Sequence, residues 1–165
     1  MAARAGLSHA APGVLFGDRA GLLTAFAAEG FDALGEVMQG AVVPGMSGRE
    51  TLAAVGRAYV AFALEHPERF EIMFRQDLLH ARDEGYRAAA DRASGPLQEA
   101  IRRCVADGAI EPAQAQDAML AAWTLVHGLV ALWRSKHLVG RVTPADPDVL
   151  ADRITRLYAG LLRPQ

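Results

Sequence analysis

Apolar residues recur at three-to-four-residue spacing along most of this chain, and no stretch alternates with the two-residue period of a strand, so the pattern predicts helices throughout. After Asp18, a natural helix N-cap, the residues Leu22, Leu23, Phe26, Ala27, Phe31, Leu34, Val37 and Met38 form one apolar stripe, which ends near Gly40 to Gly45. Ser47-Gly-Arg-Glu50 matches a capping box, in which serine and glutamate each satisfy an orphan amide of the other's turn; Leu52, Val55, Tyr59 and Phe62 then share a face. His66-Pro67 stops that helix and opens a short one carrying Phe70, Met73 and Phe74. From about Leu79 to Asp107 the pattern is helical again. It crosses Ser94-Gly95-Pro96, where the missing proline N–H predicts a kink or a break. A long, strongly apolar helix is expected from about Pro112 to Leu138, with Met119, Trp123, His127, Val130 and Trp133 near one face. Asp146-Pro147 begins the last helix, whose stripe is Leu150, Ile154, Leu157, Tyr158 and Leu161. The fold class is therefore all-α, with a hinge candidate in the loop from Gly40 to Gly48.

Composition narrows the function classes. The 165 residues are 52% hydrophobic with a net charge of -2, enough for a buried core but without a global basic footprint, so any nucleic-acid contact must come from a local patch. No apolar run is expected to span a membrane and the first residues lack the layout of a secretory signal, which predicts a cytoplasmic protein. Cys104 is the single cysteine, so no internal disulfide is possible. It reads as a small packed thiol, activated only if Arg102 and Arg103 point at it. The five histidines show no metal-ligand spacing, and no phosphate loop, nucleophile elbow or dinucleotide fingerprint is present. No metal, no cofactor and no enzymatic activity are expected. A general-base role for His127 would require an ionised carboxylate beside it.

The opening segment, Met1 to Pro12, reads as the end of one helix, a tight turn and a short second helix. Ala5 permits close helix approach, Gly6 accepts a positive φ, Leu7 plugs the core and Ser8 caps the second helix. With Phe16-Gly-Asp18-Arg19-Ala-Gly-Leu22-Leu23 at close range, the stretch resembles the recognition helix and following helix of TetR-type transcriptional regulators. That resemblance implies base contacts from His9, Ala10 and Ala11 and phosphate contacts from Arg4 and Arg19, with Ser8 at the helix start. Gly13, Val14 and Leu15 stand where the family carries Tyr and His, and the first helix of the motif is missing from the sequence. The expectation is a motif truncated at its N-terminal side, with impaired DNA binding.

Trp123-Thr-Leu-Val-His127-Gly128 sets an indole and an imidazole one helical turn apart beside a glycine. A tryptophan and a histidine on an otherwise apolar helix are more often packed in a core than functional. The segment also resembles the Trp, His, Gly signature of the WHG-type ligand-binding domain of TetR-type regulators, as do His66-Pro-Glu-Arg-Phe70 and Asp107-Gly108. The resemblance implies a TetR-like helical bundle with a partial N-terminal helix-turn-helix: residues 1–38 as DNA-binding region and connecting helix, residues 47–165 as effector-binding and dimerisation domain. It further implies a pocket for a small apolar or aromatic effector, with Phe62, Phe70, Met73, Phe74, Met119, Trp123 and His127 as candidates, each of which could equally be plain core. The last two helices would pair across a two-fold axis through Leu125, Leu129, Leu132, Leu150, Ile154, Leu157, Tyr158 and Leu161, unless the same stripe is buried within one chain. The function implied is a ligand-responsive transcriptional regulator, a repressor, acting as a homodimer on operator DNA. The alternative is a dimeric small-molecule-binding or sequestering module without DNA binding.

Overall fold

The computed structural model describes residues 16–164. They form six α-helices: α1 (Arg19–Gly40), α2 (Gly48–Glu65), α3 (Pro67–Met73), α4 (Glu84–Ala106), α5 (Ala115–Arg134) and α6 (Pro147–Leu161), with 3-10 turns at Gln76–Leu78 and Pro112–Gln114. No strand occurs among the described residues. The DNA-contact candidates Arg4, Ser8, His9, Ala10 and Ala11 lie outside the described residues, while Arg19 is exposed at the first position of α1.

The caps follow the expected chemistry. Asp18 Oδ1 accepts from the Gly21 amide at 2.7 Å, and the Ser47–Glu50 capping box is closed in both directions. At α6, Asp146 Oδ1 accepts from the amides of Asp148 and Val149, and Pro147 occupies the first turn, where no N–H is needed. Helix α2 is buried on most of its circumference and touches every other helix of the bundle. Its partners leave it little contact with water.

Two expectations about helix limits are corrected. Helix α4 runs unbroken from Glu84 to Ala106 through Pro96, and it starts at an Asp83 cap rather than at Leu79. The proline costs a ladder bond, but Ala89, Ala93, Pro96 and Ala100 form one buried stripe along α4, packed on α1 and α2. A Cβ at Gly35 of α1 would lie 3.3 Å from Ala93 Cα, so the two helices approach closely there. Helix α5 ends at Arg134, four residues before the expected limit, because Lys136 takes a left-handed φ of 60°. By length and composition alone, residues Pro112–Arg134 qualify as a membrane span, contrary to the expectation from the sequence. Contacts with α2, α4 and α6 make the helix part of the bundle instead.

The core falls into two clusters. One gathers Phe31, Leu34, Tyr59, Phe62, Phe70, Met73 and Tyr86; the other holds Leu52, Ile101, Cys104, Ile110 and Ala122. Cys104 is fully buried and burial pushes its thiol up to about 11, while Arg102 and Arg103 both engage Glu99 rather than the sulfur. The thiol is a packing group.

Candidate effector pocket

Helices α1, α2, α4 and α5 border an apolar cavity of about 360 Å³ that is open on one side, within the ~300–1,000 Å³ usual for small-molecule sites. Phe31, Leu34 and Met38 of α1 form one wall, Ala90, Ala93 and Leu97 of α4 the second, and Met119, Leu120 and Trp123 of α5 the third. Tyr59 from α2 and Phe74 from the segment after α3 complete it. A second, smaller space shares Met38, Tyr59, Leu97 and Trp123 and continues inward toward Gly56 and Thr155. There Gly56 is required by close approach: a Cβ would lie 2.8 Å from the Thr155 methyl carbon.

The polar feature of this site is a short relay. Trp123 Nε1 donates to Tyr59 Oη at 3.4 Å, and Tyr59 Oη lies 2.8 Å from His127 Nδ1. Since an indole N–H can only donate, the phenol is free to donate to His127 Nδ1, which leaves the imidazole neutral with its proton on Nε2. Burial raises the Tyr59 phenol and lowers the His127 imidazole from their ordinary ranges, so both stay uncharged near neutrality. The carboxylate that a general-base histidine would need is not its partner; Tyr59 is. Phe70, Phe74 and Trp123 surround the imidazole with ring centroids at 5.5, 4.8 and 6.2 Å.

A pH dependence follows from this geometry. Because the folded pKa of His127 is lowered, its stabilising effect is complete above the unfolded value of about 6.5 and is lost as the unfolded chain takes up a proton below it. The melting temperature of the wild type should therefore fall more steeply between pH 7 and pH 5 than that of His127→Gln. Parallel pH profiles for the two proteins would refute the assignment.

The structure separates the candidate pocket residues. Phe74, Met119 and Trp123 line the cavity. Phe62 and Met73 do not; both pack in the core away from the cavity. Phe70 and His127 lie behind the wall and line a shallower groove on its far side, with Arg75 and Arg134. Tyr59 is the residue that sequence reasoning passed over as a pocket group. Its signal was a hydroxyl on an otherwise apolar helix face, which must find a partner when buried. The dimer candidates divide likewise. Leu129 and Leu150 are buried in the chain's own core and cannot reach a partner, and Leu125, Ile154 and Tyr158 are half-buried. Tyr158 donates to the Ala118 carbonyl at 2.7 Å. Leu132, Leu157 and Leu161 are exposed at 47%, 64% and 63%, and Leu120 and Val149 are exposed with them.

Residues 52–158 match the family model of the tetracyclin repressor-like C-terminal domain, a span that contains the cavity's α2, α4 and α5 walls. The chain belongs to the TetR family. A solved structure of a protein of unknown function from Rhodococcus sp. RHA1 is 30% identical, with a TM-score of 0.82 over 98% of this chain and 82% of that one. A bacterial regulatory protein in the tetR family from Rhodococcus RHA1 shares the fold at 19% identity, with a TM-score of 0.73 over 98% of this chain and 83% of its own. No curated protein sequence matches the chain. The TetR fold gives the wall residues of α1 a particular meaning, because the same helix begins at Arg19, directly after the stretch that resembles a recognition helix.

Proposed function

We propose that the chain is the effector-binding and dimerising body of a ligand-responsive TetR-type transcriptional regulator, a repressor that acts as a homodimer on operator DNA. The observation that carries this reading is the contribution of Phe31, Leu34 and Met38 to the cavity wall, since a ligand in the cavity bears directly on α1. An effector shifts the regulator only if it binds one arrangement of α1 better than the other, and contact with α1 supplies that difference. In the dimer two copies of α1 set the spacing of the recognition helices, so a small rotation moves them out of register with the two half-sites. The exposed Leu132, Leu157 and Leu161 on α5 and α6 support a four-helix seam between subunits.

The reading is tested by selection from a random double-stranded oligonucleotide pool, followed by retention of the enriched sequence on a column. A symmetric site, with retention lost in the triple variant Arg4→Ala, His9→Ala, Arg19→Ala, is the expected result. Absence of any enriched sequence, with a dimer in sedimentation, would instead establish the sequestering module without DNA binding.

A further inference from the structure

We infer that the effector is a lipophilic organic ammonium, its apolar body between the aromatic walls and its charge toward Asp117; this rests on reading the cavity as the effector site. Four aromatic side chains, Phe31, Tyr59, Phe74 and Trp123, line the cavity. Ring faces carry the negative end of a quadrupole, so they attract a cation and repel an anion. Asp117, exposed at the rim, is the one acidic residue of the lining, and no Lys, Arg or His lines the cavity. Asp117 enters none of the ion pairs among the described residues, so its carboxylate is available to a ligand. It stands in the first turn of α5, whose N-terminal partial charge of about +0.5 offsets only part of the carboxylate and leaves the rim net negative. Gln98 of the lining donates its amide N–H to Ser94 Oγ at 2.6 Å, which leaves the amide oxygen as an acceptor for an ammonium proton.

A carboxylate effector meets the opposite conditions. Arg75 and Arg134 line the groove beyond Phe74 and His127, and they already engage Asp77 and Glu71. An anion entering the cavity would be desolvated without a counter-charge and would approach Asp117. A neutral ligand would gain the walls alone.

Three probes with one body isolate the charge: 4-butylbenzylamine, 4-butylbenzyl alcohol and 4-butylbenzoate, each titrated by calorimetry at pH 7 and low salt. The amine should bind about tenfold more tightly than the alcohol, and the benzoate more weakly than either. Asp117→Asn should bring the amine to the affinity of the alcohol and leave the alcohol unchanged, with an unaltered circular dichroism spectrum. Preference for the benzoate, or an amine preference that survives Asp117→Asn, would overturn the charge assignment while the cavity stands as a binding site. Failure of all three probes to bind would overturn the effector-site reading itself, and this inference with it.

Discussion

Replacing Gly48 with alanine is expected to lower stability by roughly 3 kcal/mol or more, near the upper end for overpacking a tight contact. In a domain of this size that corresponds to a fall of roughly 6–12 °C in melting temperature. Gly48 is the first residue of α2, and a Cβ there would run into the backbone of α4, with the Arg103 carbonyl carbon and Cys104 Cα each at 2.6 Å and the Cys104 nitrogen also in contact. A flexible side chain could rotate away from such a clash; the backbone of a buried helix cannot. The site is also pinned from three directions. Gly48 N–H donates to Asp107 at the end of α4, Ser47 closes the capping box, and Arg49 donates to the carbonyls of Ala159 and Leu162 at the end of α6. Relief at one contact strains the others. Gly40→Ala is the matched control, because nothing lies within 4 Å of a Cβ there, and it should be near neutral. The prediction fails if Gly48→Ala melts within about 2 °C of the wild type, a shift expected of an ordinary surface change.

Phe70→Ala should cost about 3–5 kcal/mol in urea unfolding, the range for deleting a buried aromatic ring. Phe70 is buried and packs edge-on against Tyr59 at 5.5 Å, with Phe74 at 5.0 Å and His127 at 5.5 Å. It lines the outer groove rather than the cavity, so a simple contact model predicts no effect on ligand affinity. The geometry predicts otherwise. Phe70 holds the Tyr59 and Phe74 rings that form the cavity's end, and their release should weaken 4-butylbenzylamine binding in the fraction that remains folded. Phe70→Leu keeps most of the volume and should cost less than half as much in stability. A Phe70→Ala variant destabilised by less than about 1 kcal/mol would show that the aromatic cluster does not support the cavity's end.

The limits of reading chemistry from sequence appear in particular residues. Trp123 and His127 were recognisable as a pair one turn apart, but not the group that joins them. Tyr59 lies 64 residues before Trp123 and 68 before His127, and only the crossing of α2 and α5 brings its hydroxyl to both. Met73 and Phe62 fit a pocket by type, yet the packing of α3 and α2 places them in the core. Phe31, Leu34 and Met38 read as an ordinary apolar stripe on α1, and their role as a cavity wall depends on how far α4 stands from α5.

Pro96 shows the same division from the side of the backbone. Local chemistry predicts a kink or a break, and α4 passes through Pro96 without a break, its stripe of small buried residues packed on α1 and α2. The sequence by itself determined the all-helical class, the Asp18, Ser47 and Asp146 caps and the apolar faces, because these depend on contacts within a turn or two of the chain. The family resemblance was legible too, through Trp123, His127 and Gly128. Only the tertiary structure decided which apolar residues surround empty space, which of the leucines on α5 and α6 remain exposed, and that Asp117 stands at the rim of the cavity. A cavity is a distance between helices, and that distance is set by side chains far apart in the chain, so no local pattern encodes it.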